Sequence, residues 1–594
     1  MGNGNGTEHP YGRRRPPPGR PRRPSDPYGP DRPEWRERRG WSAQPGAGGR
    51  GGRSESPYGR PPPRRQDPYG RSAGDPFGVP AGVYHRTEPV DPAHLRRRRG
   101  WRRLGTGVVV LLLLVGAGVG IWQFVIGATD ERNQLGYDED SLAQPATSTT
   151  APPATEPEGQ VPASGFATPG LLTFRGSPTR SYHGEGPVPT NPEVLWQYPA
   201  GGPMCSESAV GNEVKTWCGT GWTGQPSVFE RDGRTWVVFG AYDRKVHFVD
   251  YDTGEDILPP FETGDIIKGS VTVDPDGLPL VYSGSRDNEL HVIAIDRPVP
   301  TELWSLPADA VSPTMWNNDW DASPLVIDDY LYEGGENSQF HVVKLNRTTG
   351  DDGLVQVAPE LVFNAPGWDD ELTAALAVRQ NDVSIENSVA YADGVVYFAN
   401  SGGLVQGWDV SGIADGATPT RVFRYWAGDD IDASIVVDGD GFLYVAVENE
   451  RGNARAAEVG QLLKLDPRKP DDPLVWSLKD PRGFWATPAL YEDIVIAPSD
   501  GGTVYALDRE TGEVRWTFDL APPTWQSPVV VDGVLVQGDC DGTLRAYDLS
   551  DTSTAPPELW SVQLEGCIES TPALWQGRIF VGTRAGSFYA IGDP

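Results

Sequence analysis

Short apolar runs, separated by glycine and aspartate, fill the chain from about residue 190 to its end. One unit shows their order best, with four strand-like segments at Thr487–Leu490, Ile494–Ala497, Thr503–Asp508 and Val514–Trp516. The Gly and Asp residues between them suit the tight turns of β-hairpins. The pattern therefore predicts an all-β body made of successive four-stranded units.

A phrase that ends in tryptophan recurs through this region and sets its period. Its copies are Glu193–Trp196, Glu302–Trp304, Leu474–Trp476, Glu513–Trp516 and Glu558–Trp560. A repeat of roughly 40–50 residues, built only of strands and turns, is typical of a β-propeller blade.

A serine or threonine, often followed by proline, opens the innermost strand of each unit. Eight such anchors align, at Ser227, Ser270, Ser323, Ser388, Ser434, Thr487, Ser527 and Thr571. The last unit has only three strands before the chain ends, while Glu193–Tyr198 has no unit of its own. We expect this segment to supply the missing fourth strand, which closes an eight-bladed ring and removes two open sheet edges.

The only long apolar run lies far from these repeats, at residues 104–128. It carries no charge and is long enough to cross a bilayer as one transmembrane helix. Six arginines precede it within eight residues, and Asp130 and Glu131 follow it. The positive-inside rule then places the N-terminus in the cytoplasm and the repeats outside. A cleaved signal peptide is the alternative, but the charged leader is far too long for one.

The charge divides at the same point. Residues 1–103 hold 23 arginines and 10 acidic residues, a net charge of +13, whereas the remainder holds 28 basic and 72 acidic residues, a net charge of −44. Such a split indicates two compartments rather than a specific nucleic-acid-binding surface.

Neither of the regions that flank the apolar run has the pattern of a folded domain. Residues 1–103 are dominated by Pro, Gly and Arg, so we expect a disordered cytoplasmic tail; a weak interaction tail that uses Arg and Tyr is the alternative. Residues 129–169, rich in Pro, Thr and Ala, are expected to form a stalk that carries the body at 170–594.

All four cysteines lie beyond the apolar run, at Cys205, Cys218, Cys540 and Cys567. An even number confined to the exported part of the chain fits two disulfides in an oxidising compartment. We expect Cys205 to pair with Cys218 in the loop before the first blade. Cys540 and Cys567 fall in two connections on the same face of one blade, so we expect them to form the second bond.

One stretch carries a family resemblance. Residues 506–516 match the pattern A-x-D-x-x-T-G-x-x-x-W, with Asp508, Thr511, Gly512 and Trp516 at its fixed positions. This pattern resembles the tryptophan-docking motif of quinoprotein-type propellers, in which the Asp and Thr-Gly shape the turn and the Trp packs between blades. The chain thus resembles the membrane-anchored PQQ-like repeat proteins of actinobacteria, where PQQ is pyrroloquinoline quinone.

The resemblance implies one of two functions. Quinoprotein dehydrogenases bind PQQ and Ca²⁺ and usually carry an adjacent Cys-Cys pair, whereas scaffolds of the BamB type bind no cofactor. This chain has neither adjacent cysteines nor a C-x-x-C-H haem motif. The resemblance therefore favours a non-catalytic scaffold without cofactor or metal. A PQQ- and Ca-dependent dehydrogenase of alcohols or sugars is the alternative.

A candidate site follows from propeller geometry. The residue two positions before each anchor is expected near the mouth of the central channel, and these residues are Gln225, Lys268, Asp321, Glu386, Asp432, Trp485, Trp525 and Glu569. An acidic ring with an aromatic wall would suit a cation or a cationic segment of a protein or cell-envelope partner. The alternative is the solvated rim of an acidic body. Three histidines in third strands are expected to be spread around the ring rather than to share a metal.

The topology is testable in spheroplasts. Because arginines precede the apolar run and acids follow it, external protease should digest the body and spare the N-terminal tail. Immunoblotting against a tag at each end measures this. Digestion of the tail with an intact body would refute the predicted orientation.

Overall fold

The computed structural model describes residues 165–210, 213–222, 224–376 and 382–594. The predicted tail, the predicted transmembrane helix at 104–128 and nearly all of the predicted stalk lie outside these ranges. Within them, no helix is both long and apolar enough to cross a membrane.

Five strands precede the first blade: β1 (Gly170–Leu171), β2 (Gly184–Glu185), β3 (Glu193–Tyr198), β4 (Cys205–Val210) and β5 (Glu213–Cys218). The strands β4 and β5 pair only with each other and form a separate hairpin. The other three strands extend the first and last blades.

Eight antiparallel sheets then follow along the chain, which confirms the predicted all-β, eight-bladed propeller. The first blade consists of β6 (Ser227–Arg231), β7 (Arg234–Ala241), β8 (Lys245–Asp250) and β9 (Asp256–Glu262), and the second of β10 (Thr272–Val273), β11 (Leu280–Gly284), β12 (Glu289–Ala294) and β13 (Thr301–Pro307). The third consists of β14 (Leu325–Ile327), β15 (Tyr330–Gly334), β16 (Gln339–Lys344) and β19 (Glu360–Pro366), with the small hairpin β17 (Thr348–Thr349) and β18 (Val355–Gln356). The fourth consists of β20 (Ala390–Ala392), β21 (Val395–Phe398), β22 (Leu404–Asp409) and β23 (Thr420–Trp426).

The other four blades repeat this order. The fifth blade consists of β24 (Val436–Val437), β25 (Leu443–Ala446), β26 (Leu462–Leu465) and β27 (Leu474–Leu478), and the sixth of β28 (Ala489–Tyr491), β29 (Ile494–Pro498), β30 (Thr503–Asp508) and β31 (Val514–Asp519). The seventh consists of β32 (Val529–Val531), β33 (Val534–Gly538), β34 (Thr543–Asp548) and β35 (Glu558–Gln563). The eighth has β36 (Ala573–Trp575), β37 (Arg578–Gly582) and β38 (Phe588–Gly592). Two short helices, α1 (Asp370–Ala375) and α2 (Ala454–Val459), lie in connections.

The ring closes as the sequence predicted. Strand β3 pairs antiparallel with β38, with Val194 opposite Ile591 and Tyr198 opposite Phe588. The last blade thereby gains its outer strand from the N-terminal side of the propeller, and no blade is left with three strands.

The serine and threonine anchors join neighbouring blades. The backbone N–H of Ser388 donates to the Ser434 hydroxyl at 3.0 Å, and the N–H of Ser434 donates to the Thr487 hydroxyl at 3.0 Å. The pairs from Ser323 to Ser388 and from Thr487 to Ser527 follow the same rule. An inner strand leaves one edge unpaired toward the axis, so each hydroxyl satisfies a buried backbone donor of the preceding blade.

The tryptophan-docking motif makes the outer contact between blades. The Asp508 carboxylate accepts the N–H of Thr511 at 2.8 Å, which shapes the turn. Gly512 has φ +76°, and a Cβ there would lie 2.6 Å from the Trp476 ring of the preceding blade. Trp516 in turn donates its indole N–H to the Thr552 carbonyl of the next blade at 3.1 Å. The motif residues therefore have the packing role that the resemblance implied.

Ring closure is tested with two substitutions in one strand. Trp196 packs against Phe580 and Phe588 and donates to the Tyr251 carbonyl at 3.0 Å. Trp196→Ala should therefore lower the free energy of unfolding by about 2–3 kcal/mol. Val194 is 39% exposed in the same strand, so Val194→Ala should change it by less than about 0.5 kcal/mol. Denaturant titration measures both, and equal effects would refute the closure by β3.

Candidate functional site

The inner strands define two faces of the propeller. The mouth face is where these strands begin, and the turn face is where they end in the hairpin turn to the second strand. The eight residues predicted at the channel mouth all lie at the mouth face, before their inner strands. Trp525 is half-buried. The other seven are buried: Gln225, Lys268, Asp321, Glu386, Asp432, Trp485 and Glu569. Most of these side chains are therefore enclosed by the protein rather than open to solvent.

Lys268 lies at the centre of a buried ion network. Its ammonium contacts the Asp321 carboxylate closely, lies 3.0 Å from Glu336 Oε1 and lies 3.9 Å from Asp319 Oδ2. Arg286 Nε approaches the same Asp319 oxygen at 2.6 Å. Burial lowers the pKa of Lys268, but the attraction of Asp321 and Glu336 is larger in sum and holds it above its ordinary value. The lysine therefore stays charged and neutralises the carboxylates around it.

The acidic side chains of this network repel one another. One carboxylate oxygen from each of Asp321, Glu336 and Glu386 lies within 4.8 Å of the others. Burial raises the pKa of Asp321 to about 7 despite Lys268, and burial with the charges of Glu336 and Asp321 raises that of Glu386 well above its ordinary value. Glu386 also accepts a hydrogen bond from the Ser384 hydroxyl at 2.7 Å.

A second carboxylate cluster lies beside the fifth blade. Asp430, Asp432 and Glu448 bring one oxygen each within 4.8 Å of the others, and all three are buried. Arg451 contacts Asp430 at 3.2 Å, and the Trp485 indole N–H donates to Asp432 at 2.8 Å. Carboxylate oxygens are the ligands that Ca²⁺ prefers, yet each cluster already contacts cationic or hydrogen-bond donors of this chain.

Three tryptophans meet at the mouth. The rings of Trp485 and Trp525, from neighbouring blades, lie 4.6 Å apart in an edge-to-face arrangement. Trp222, which precedes the first blade, lies 5.3 Å from Trp485, which precedes the sixth. The contact thus joins blades that are not neighbours in the ring. Trp485 is only 5% exposed as a result, whereas Trp525 keeps part of its surface in solvent.

Glu569 lies beside a disulfide. Arg584 contacts its carboxylate at 3.2 Å and lies over the ring of Trp217 at 5.4 Å. A Glu569 oxygen lies within 4.8 Å of both sulfurs of the Cys540–Cys567 disulfide. The mouth residue and the cross-link therefore share one face.

Both predicted disulfide pairings are present. Cys205 and Cys218 close the base of the hairpin formed by β4 and β5, where they lie directly opposite each other. The hairpin lies against the first blade, since the Ser206 hydroxyl donates to the Tyr242 carbonyl at 2.6 Å.

The sequence missed the partners that bury the mouth residues. Glu336 and Glu448 lie in turns between second and third strands, and Trp222 lies ahead of the first anchor. Their positions directly after β15 and β25, or before Ser227, were the only signal available. Trp485 was expected in an aromatic wall of the mouth, but Trp222, Trp525 and Asp432 enclose it.

The three third-strand histidines do not converge, as expected. His247 contacts Asp243 at 3.0 Å in the first blade, and His341 lies 3.3 Å from an Asn337 side chain in the third. His291, in the second blade, is paired on both ring nitrogens within its own sheet.

The chain is similar to known proteins in one stretch of its sequence and in its fold. A family model described as outer membrane protein assembly factor BamB matches residues 458–555. Among solved structures, a europium-containing methanol dehydrogenase shares 12% identity with a TM-score of 0.50, covering 71% of this chain and 98% of its own. Residues 458–555 therefore resemble a BamB-type PQQ-like repeat, and the likeness of the folded body to the solved structure is one of propeller fold.

Other solved structures are similar at a lower level. A quinohemoprotein alcohol dehydrogenase from Comamonas testosteroni shares 12% identity with a TM-score of 0.48, covering 71% of this chain and 80% of its own. BamB from Moraxella catarrhalis shares 14% identity with a TM-score of 0.35, covering 68% and 99%. At these identities the likeness to both proteins concerns the fold alone. A search of curated proteins with the sequence finds no significant match.

Trp485 offers no open face on which a planar quinone such as PQQ could stack. Its ring is enclosed by Trp222 at 5.3 Å and Trp525 at 4.6 Å. The adjacent cysteine pair of the dehydrogenases is also missing, since the four cysteines form two disulfides between distant positions.

The pairing of His291 predicts a pH dependence of stability. Burial lowers its pKa, but hydrogen bonds to Asp287 and Glu302 outweigh burial and raise it to about 9, from an ordinary value of 6.5. Its contribution is therefore complete below pH 6.5 and is lost as the pH rises through 9. His291→Gln should cost on the order of 2 kcal/mol at pH 6 and much less at pH 10, measured by denaturant titration.

Glu302→Gln is the matched control, because it removes one of the two carboxylates and should halve the pH dependence. A cost of His291→Gln that is equal at pH 6 and pH 10 would show that the histidine acts by packing and not by charge.

Proposed function

We propose that the protein is a single-pass membrane protein whose extracytoplasmic propeller acts as a binding module, without catalysis. Its mouth face receives a positively charged segment of a protein partner in the cell envelope. The observation that carries this proposal is the concentration of tryptophan in the mouth-face connections and the adjoining hairpin, at Trp217, Trp222, Trp316, Trp320, Trp368, Trp485 and Trp525. Tryptophan is among the residues most enriched at the energetic centres of protein interfaces.

Four of these tryptophans are available to a partner. Trp217, Trp316, Trp368 and Trp525 are half-buried, so each keeps part of its ring in solvent while its remainder is held by packing. Trp316 has φ +67°, which is unusual for a bulky residue. Rigid, partly exposed aromatic rings lose little conformational entropy when a partner covers them.

The charge of the same face determines the kind of partner. Exposed carboxylates stand on its loops and on the hairpin, at Glu207, Asp309, Asp370, Glu371, Glu450, Asp541 and Glu565. A cationic segment would be attracted by this field and could also stack on the tryptophans, and its binding would weaken with salt.

The alternative function is a PQQ- and Ca-dependent dehydrogenase, favoured only by the two carboxylate clusters. The enclosure of Trp485 argues against it. The disulfides support an oxidising, extracytoplasmic location, and the anchor rests on the apolar run at 104–128.

Site-directed photo-crosslinking in cells tests the proposal. A photoreactive residue in place of Trp525 should give a discrete adduct with one envelope protein. The control replaces Val299, which is 61% exposed in a turn-face loop of the second blade, and should give none. Adding Glu450→Lys and Asp541→Lys should reduce the Trp525 adduct at least about fivefold, because the attraction is electrostatic.

The two functions give opposite results in a second assay. The purified protein with PQQ and Ca²⁺ should show no dye-linked oxidation of alcohols or sugars. Turnover in that assay would replace the binding module by the dehydrogenase, and equal adducts at Trp525 and Val299 would refute the mouth face as the docking surface.

A further inference from the structure

The central channel is filled by the chain itself. Residues 166–189, here called the channel segment, enter and leave at the turn face. At the entrance the Thr168 N–H donates to the Pro275 carbonyl, in the turn between β10 and β11, at 3.2 Å. At the exit the Glu185 carbonyl accepts from Gln576, in the turn between β36 and β37, at 2.8 Å. The segment therefore makes a loop into the channel and returns to the face opposite the mouth.

The channel segment contacts every blade of the ring. In the first four blades these contacts are β1 with β6, Leu172 O with Val273 N, Phe174 N with Ser323 Oγ, and Pro178 O with Tyr391 N. In the fifth to eighth blades they are Thr179 O with Val437 N, the Arg175 side chain with Pro488 O, His183 Nδ1 with Val530 N, and β2 with β36. The unpaired inner edges of the blades thus act as the wall of a binding site, and main-chain groups make most of its bonds.

Arg175 is fully buried in this site. Its guanidinium donates to the carbonyls of Pro488, at 2.8 Å, and Pro528, and it contacts the His183 ring at 2.8 Å. Burial lowers the pKa of Arg175 to about 9, yet the guanidinium stays charged at neutral pH. The Arg175 side chain therefore bonds to the sixth and seventh blades and also to His183, in the part of the segment that returns to the turn face.

Arg180 serves the opposite side of the channel. It donates to the Val389 carbonyl at 2.7 Å, to the Ser323 carbonyl at 3.2 Å and to the Phe174 carbonyl at 2.8 Å. Glu333, also fully buried, raises its pKa by charge and opposes the effect of burial. The planar fork of arginine reaches several carbonyls at once, which a lysine ammonium on its flexible stem does not.

We propose that the inner wall of the propeller is a peptide-binding site for a turn that carries two arginines, and that this chain occupies the site with its own channel segment. The segment binds by its own contacts and does not depend on the covalent link to β3. It therefore holds its own first residues, from Phe166 to Thr168, at the turn face.

A cut between the channel segment and β3 tests this directly. Thr190 and Asn191 are both exposed, so a recognition sequence for a specific protease is inserted between them in the full-length protein. After cleavage, the fragment that ends at Thr190 should remain bound to the propeller through size-exclusion chromatography in high salt. Separation of the two fragments from otherwise unaltered protein would overturn the proposal.

The arginines are tested in the cut protein. The double variant Arg175→Ala and Arg180→Ala should release the N-terminal fragment at least tenfold faster, because buried carbonyls on four blades lose their donors. Arg234→Ala is the matched control, since Arg234 is exposed on β7 outside the channel, and it should not change the rate. An unchanged rate in the double variant would overturn the role of the arginines.

A single conservative variant covers the case in which the double variant does not fold. Arg180→Lys keeps the charge but loses the forked contacts, so the cut protein should release the fragment several-fold faster with its circular dichroism unchanged. A release rate equal to that of the unsubstituted protein would refute recognition by the guanidinium fork.

Discussion

The unpaired inner edges of eight strands are the constraint on which this structure depends. Within its blade, each inner strand pairs on one side, so its other edge presents backbone N–H and C=O groups to the axis, where β1 and β2 of the channel segment pair with two of these edges. Leaving such buried groups unpaired costs about 1–3 kcal/mol each. The chain meets this constraint twice. The hydroxyls of anchors such as Ser388 and Ser434 accept from neighbouring blades, and Arg175 and Arg180 donate to inner-strand carbonyls.

The same constraint shapes the mouth. With the channel segment entering from the turn face, the mouth-face end is covered by side chains rather than by a second peptide. Lys268 and its carboxylates fill one part, and Trp222, Trp485 and Trp525 fill another. The resulting surface is partly aromatic, because Trp525 keeps part of its ring in solvent while Trp222 and Trp485 are buried.

Much of the fold could be predicted from sequence because its determinants are local and repeated. The anchors, the Asp508 to Trp516 motif and the unfinished last unit each follow from neighbouring residues, and they fixed the blade number and the closure by β3. The channel segment carries no repeat, and its conformation is decided by eight strands that are distant in sequence. Its residues from 170 onward were therefore assigned to the propeller, and residues 166–169 to the stalk, without a structure of their own.

The sequence predicted which residues precede the inner strands at the mouth face, but it did not predict that most of them are buried. The position two residues before each anchor does bring Lys268 and Asp321 to the mouth. Their burial depends on Glu336 and Trp222, which reach them from other connections and share no spacing with the anchors. Composition alone suggested an open acidic ring, because it cannot show that a carboxylate has an internal partner.

Amide hydrogen exchange of the channel segment is the most direct test of this account. If the segment is the element that satisfies the inner edges, peptides covering residues 170–185 should exchange as slowly as the inner strands β28 and β32, with protection lost only on global unfolding. Exchange of these peptides within seconds, while the blades remain protected, would show that the ring holds together without the segment and would contradict the account.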